Sequence, residues 1–122
     1  MEKKNKKVLL VDDEVKLVAT VKVFLELNGY DVVTAHNGQE GLQVARAEIP
    51  DLIVSDIMMP VMDGYSMLKE LKTDVKFKDI PVIMLTAKDG LSDLCEIEGA
   101  RQFLVKPFDL EMLVQVVQRF LC

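Results

Sequence analysis

Residues 8–14 read Val-Leu-Leu-Val-Asp-Asp-Glu. Four consecutive apolar residues, the outer two β-branched, run straight into three acids. A strand with one wet face would alternate apolar and polar residues. This run does not, so it predicts a short strand covered on both faces, as in a parallel sheet with helices on either side. Four further runs share the pattern: Val32 to Ala35, Leu52 to Ser55, Val82 to Leu85 and Phe103 to Val105. Each is followed by a stretch with helical periodicity, and alternating strands and helices imply parallel pairing.

The first helix is expected from Glu14 to Asn28, with Leu17, Val18, Val21, Phe24 and Leu25 on one face and Gly29 as its left-handed terminator. A second opens at Asn37, whose side chain can cap it with Glu40 three residues on, and Ile49-Pro50 closes it. A third is expected from Ser66 to Asp74, a fourth from Leu91 to Glu98, and a fifth from its N-cap Asp109 to the end of the chain.

The 122 residues are half hydrophobic and 29% charged, which fits one globular domain with its own core. Cys95 and Cys122 make neither a disulfide framework nor a zinc motif, so a reducing, cytoplasmic setting is expected. Apolar runs of four or five residues exclude a membrane span and a signal peptide. Residues 1–7 carry four lysines and one glutamate and read as a basic tail, which leaves eleven basic and nineteen acidic residues in 8–122. So acidic a body repels phosphate backbones, and direct nucleic-acid binding by this domain is not expected.

In an open parallel sheet, ligands bind beyond the carboxyl ends of the strands. There the sequence places Asp12, Asp13 and Glu14 after the first strand, Asp56 after the third, Thr86 and Ala87 after the fourth, and Lys106 with Pro107 after the fifth. Paired acids at a helix start also serve its dipole, so Asp12-Asp13 alone says little. Carboxylates, a hydroxyl and an amine converging from four strand ends are not needed to build a fold.

Four ordered motifs carry a resemblance that covers essentially the whole chain: Val11-Asp12-Asp13-Glu14, then Ser55-Asp56-Ile57-Met58-Met59-Pro60 with Asp63-Gly64, then Leu85-Thr86-Ala87, then Phe103-Leu104-Val105-Lys106-Pro107-Phe108. The sequence resembles the receiver domain of two-component response regulators, here residues 8–122. The expected fold is a flavodoxin-like, doubly wound sheet of five parallel strands in order 2-1-3-4-5, with two helices on one face and three on the other. The resemblance implies that Asp56 is the phosphoacceptor and that Asp12 and Asp13, with Asp56 and the Met58 backbone carbonyl, bind Mg2+. It further implies that Thr86, Ala87 and Lys106 meet the phosphoryl group, that Phe103 is a mobile aromatic, and that Pro60, Gly64 and Pro107 are structural. Pro107 is expected in a tight turn, for which a cis bond is one geometry, that aims Lys106.

The residue chemistry agrees. Carboxylates and a carbonyl are hard oxygen donors suited to magnesium. A carboxylate attacks an anionic phosphorus centre poorly unless a cation such as the Lys106 ammonium neutralises the developing charge. The product is a mixed anhydride that water attacks, so the mark is transient. Self-phosphorylation and slow self-dephosphorylation are then the only turnover, and the domain is not expected to act as an enzyme on other substrates. His36 is the only histidine, which excludes a phosphohistidine relay or a Ser-His-Asp triad within the chain.

The partners implied are a sensor histidine kinase or histidine phosphotransfer protein, an output partner or linked effector domain, and a phosphorylation-dependent second copy. No membrane partner is implied. On the fifth helix Leu110, Leu113, Val114, Val117 and Leu121 should face the sheet, whereas Met112, Val116 and Phe120 form a second stripe expected on an output surface with the fourth helix and fifth strand. Three features depart from the usual pattern: Thr86 to Gly99 is about two residues short, Arg101-Gln102 stand where acids are common, and Val105 replaces a frequent hydroxyl residue. The shortened fourth helix admits a rival, a pseudo-receiver acting as a phosphorylation-independent interaction module. A magnesium phosphatase with an aspartyl nucleophile is disfavoured, because no second acid is placed to serve a leaving group.

Overall fold

The computed structural model describes residues 5–87, 96 and 98–121. Five parallel strands, β1 (Lys7–Val11), β2 (Asp31–Ala35), β3 (Leu52–Asp56), β4 (Val82–Thr86) and β5 (Gln102–Val105), form one sheet in the order β2-β1-β3-β4-β5. Four helices lie among the described residues: α1 (Val15–Leu27), α2 (Gly38–Glu48), α3 (Gly64–Lys72) and the C-terminal α4 (Leu110–Leu121). The fold is the flavodoxin-like one expected.

Burial explains the order. All of β3 and β4, and Val8 to Val11 of β1, are buried, whereas β2 and β5 at the sheet edges are partly exposed. Continuous apolar runs therefore sit in the middle, where both sheet faces are covered. Strand residues alternate between two cores. Val8, Leu10, Val54, Ile83 and Leu85 pack with α1 and α4, and Leu9, Val11, Ile53, Val82 and Met84 pack with α2 and α3. Two described helices thus cover each face; the expected fourth helix, Leu91 to Glu98, and the short Thr86 to Gly99 segment fall largely outside the described residues.

Helix ends follow local chemistry. Gly29 has a φ of 93°, and the N–H groups of Gly29 and Tyr30 return to the carbonyls of Glu26 and Leu25, which closes α1. The Asn37 side chain accepts from the Glu40 N–H at 2.9 Å to open α2, and the Asp109 carboxylate accepts from the Glu111 N–H at 2.9 Å ahead of α4. Among the described residues no helix is long and apolar enough to cross a membrane.

Three expectations need correction. The basic tail does not extend to residue 7: Lys7 is the first residue of β1, its N–H donates to Asp51 and its ammonium to Glu48, both at 2.8 Å. Helix α3 begins at Gly64 rather than Ser66, because Asp63 accepts from the Ser66 N–H at 2.7 Å and caps it there. The second stripe of the C-terminal helix is not an open surface. Val116 is 4% exposed and belongs to the core, and Phe120 packs against that core. Of the three, Met112 is the exposed one, at 52%.

Burying a charge at a core position is expensive, whereas an exposed substitution is nearly neutral. Val116→Glu is therefore expected to lose about 3 kcal/mol or more in urea unfolding, and Met112→Glu to stay within about 0.5 kcal/mol. Equal effects of the two would contradict this packing.

Candidate functional site

Asp56 is the last residue of β3 and pairs in register with Leu85 of β4. Asp12 follows β1 directly, and its N–H donates to the Ala35 carbonyl at 3.1 Å. Lys106 follows β5, its N–H donates to the Thr86 carbonyl at 2.7 Å, and its peptide bond to Pro107 is cis. Parallel register alone thus brings the ends of β1, β3, β4 and β5 to one edge.

The side chains converge there. The Lys106 ammonium donates to Asp12 Oδ2 at 2.8 Å, to Asp56 Oδ2 at 3.2 Å and to Glu14 Oε1 at 3.2 Å. Asp12 is fully buried, and its Oδ1 accepts from the Glu14 N–H at 2.9 Å. Asp56 is 7% exposed, with Oδ1 accepting from the Ile57 N–H at 2.9 Å. Carboxylate oxygens of Asp12, Asp13 and Asp56 lie within 4.8 Å of one another, with Asp13 facing solvent. Thr86 is buried at the same edge and Ala87 is exposed beside it. Phe103, one of the expected switch residues, is partly buried against the α2–α3 core.

The loop after Asp56 is held tightly. Ile57 accepts from the Gly64 N–H at 2.7 Å, Pro60 from Met62 at 2.8 Å, and Met62 from Gly38 at 2.8 Å. A Cβ on Gly64 would collide with the Asp56 carbonyl, so only glycine lets α3 start against β3. This accounts for the structural part expected of Gly64. The Met58 side chain is exposed in this loop.

Electrostatics follow from crowding. Burial, and then the charge of Asp12, raise the Asp56 pKa above its ordinary value, and Lys106 with the Ile57 N–H only partly offset this. Burial opposes the charge on Lys106, but the hydrogen bond to Asp12 and the charges of Asp12 and Asp56, with Glu14 behind them, win and hold its pKa well above the ordinary lysine value. The site therefore holds a permanent ammonium among carboxylates and offers only oxygen donors, a set that fits a hard divalent cation.

Sequence reading named every residue of this cluster except Glu14 in its role as a Lys106 partner. The signal available was the third acid in the Asp-Asp-Glu run. His36 pairs with Glu40 on the surface at 3.3 Å and takes no part.

Residues 8–118 match the response regulator receiver domain family. The chain is 45% identical over 106 residues to the alkaline phosphatase synthesis transcriptional regulatory protein PhoP of Bacillus subtilis (strain 168), covering 85% of this chain and 43% of PhoP. It spans about half the length of the curated transcriptional regulators it matches. Among solved structures it is similar to the chemotaxis response regulator CheY4 of Vibrio cholerae, with a TM-score of 0.90, 36% identity, and coverage of 96% of this chain and 99% of that one. The receiver domain of sensor histidine kinase PA1611 from Pseudomonas aeruginosa PAO1, solved with a magnesium ion coordinated in its active site cleft, matches with a TM-score of 0.87 and 29% identity, covering 96% of this chain and 98% of that one.

The raised Asp56 pKa makes a pH prediction. Where the folded-state value lies above the unfolded one, an ionised carboxylate costs stability. The cost is absent below the ordinary value of 3.8, grows as pH rises, and is complete above the raised value. Without divalent cations, Asp56→Asn should therefore melt at a higher temperature than the parent at pH 7, with the advantage vanishing near pH 3. A variant less stable at pH 7 would contradict the crowded-carboxylate account.

Proposed function

The chain belongs to the response regulator receiver domain family, and from that premise we propose that it is a phosphoacceptor switch in which Asp56 receives a phosphoryl group from a histidine kinase or histidine phosphotransfer partner. The observation that carries the reading is the nearly buried Asp56 carboxylate, 3.2 Å from the Lys106 ammonium and beside Asp12 and Asp13.

In the transfer an Asp56 oxygen forms a bond to phosphorus while the bond from phosphorus to the donor histidine nitrogen breaks, and the imidazole leaves with the electron pair. The raised pKa keeps the carboxylate more basic than an exposed aspartate, and hence a better electron donor. Lys106 follows the developing charge from the carboxylate to the phosphoryl oxygens, and the Thr86 hydroxyl donates to one of them. Asp12, Asp13 and Asp56, with the Met58 carbonyl, would hold magnesium. When bound, the ion supplies positive charge that offsets the acids and the phosphoryl oxygens. Water attack on phosphorus later returns the carboxylate and inorganic phosphate, the only turnover proposed.

Output runs from Thr86 to β5 and the C-terminal helix. Thr86 drawn toward the phosphoryl group opens space for Phe103 to turn inward, so the exposed surface around Val105 and Met112 exchanges one packing for another. A downstream partner, a linked effector domain or a second copy would read that surface. The proposed setting is the cytoplasm, where kinases of this kind act.

Two measurements test the proposal. Acetyl phosphate with magnesium should add one phosphoryl group to the intact mass, and Asp56→Asn should take none. An unlabelled parent under conditions that label another receiver domain overturns the proposal and favours a phosphorylation-independent module. Beryllofluoride with magnesium should shift amide signals of β5 and the C-terminal helix, and Thr86→Ala should suppress those shifts while Asp56 still labels. Shifts confined to the loop after Asp56 would refute the coupling.

A further inference from the structure

We infer that Glu14 is a positioning residue that detains the Lys106 ammonium and so slows the phosphorylation of Asp56. The inference rests on the phosphoacceptor reading above and concerns a side chain to which that reading gives no part.

An ammonium has three N–H donors. All three are engaged: by Asp12 at 2.8 Å, and by Glu14 and Asp56 at 3.2 Å each. A phosphoryl oxygen arriving at Asp56 must therefore take a donor from one of them. Asp12 holds the shortest contact and is fully buried, so water cannot take the place of the ammonium there as it can at the exposed Glu14 carboxylate. The exchange falls to the other two, and Glu14 is the one that does not receive the phosphoryl group.

A second observation shows that the Glu14 carboxylate is not retained for the helix it begins. Glu14 is the N-cap residue of α1, where a carboxylate ordinarily accepts from an N–H of the first turn. Its side chain makes no such bond. Its own N–H is instead satisfied by Asp12 Oδ1 at 2.9 Å. The carboxylate passes over the cap and reaches Lys106, although its side chain remains 60% exposed. Glu14 and Lys106 also line one cleft with Ala87 and Pro107, to whose wall Asp56 does not contribute. Glu14 thus draws the ammonium toward solvent, away from the point where charge develops during transfer.

The test follows transfer from acetyl phosphate in saturating magnesium, in which an Asp56 oxygen bonds to phosphorus as the bond to the acetate oxygen breaks and acetate leaves with the electron pair. Glu14→Gln should label about two- to fivefold faster than the parent, the size of one partly exposed ion pair, and Glu14→Ala, which removes the acceptor altogether, at least as fast as Glu14→Gln. Thermal melts should fall by no more than a few degrees, since one partly exposed ion pair but no cap bond is lost. The gain should appear in the rate at saturating acetyl phosphate, whereas repulsion between Glu14 and the anionic donor would act on the donor concentration needed to reach it. A gain confined to that concentration assigns the effect to surface charge and overturns the inference, as does a saturating rate equal to or below the parent's. A parent that takes no phosphoryl group at all removes the underlying reading and this inference with it, a result distinct from either.

Discussion

The Lys106 ammonium set between the carboxylates of Asp12 and Asp56 is the contact on which the rest of the structure depends. Two aspartates with exposures of 0% and 7% set side by side need a cation against them, because burial strips their water and like charges repel. That cation comes from the far edge of the sheet, so the pairing of β3, β4 and β5 must be in register for the site to exist. The Lys106 N–H bond to the Thr86 carbonyl fixes the last step of that register. Fold and site are consequently one constraint: the buried strands deliver charged residues to a single edge, and the charges are tolerable only because the strands deliver all of them.

Most of the fold was legible because its signals are local. Unbroken apolar runs marked the central strands, and Gly29, Asn37 and Asp109 marked helix boundaries through chemistry each residue carries alone. The site was legible because parallel topology sends strand ends to one side, where the Asp-Asp-Glu run, Asp56, Thr86 and Lys106 had to meet. What escaped depended on neighbours far away in sequence. The span of the C-terminal helix face that the sheet and α1 cover is a tertiary quantity, so periodicity separated Val116 from Val117 although both are buried. Lys7 read as part of a basic tail because its partners, Glu48 and Asp51, lie some forty residues on. The role of Glu14 was hidden for a similar reason, since an acid at a helix start already has an ordinary explanation.

The scaffold is tightly bonded around Asp56 and layered between β4 and β5. The loop after Asp56 is tied to α2 and α3 by backbone bonds through Gly38 and Gly64, which leaves Asp56 little freedom to relax its crowding by moving. Relief must come from positive charge added beside the carboxylates. Thr86 and Phe103 belong to neighbouring strands paired in register, so a change at Asp56 would have a short packed route to β5. Packed interiors switch between discrete arrangements rather than deform continuously, and this geometry suits such a switch.

The central claim is that Asp56, among four neighbouring acids, is the residue that carries the phosphoryl group. Borohydride reduces an acyl phosphate to an alcohol, so treating the phosphorylated protein with it and mapping peptides by mass locates the acceptor directly. The account predicts conversion of residue 56 to homoserine, with Asp12, Asp13 and Asp63 unchanged and Glu14 unmodified. Reduction at any of those four acids, or none in a protein that has gained a phosphoryl group, would contradict it.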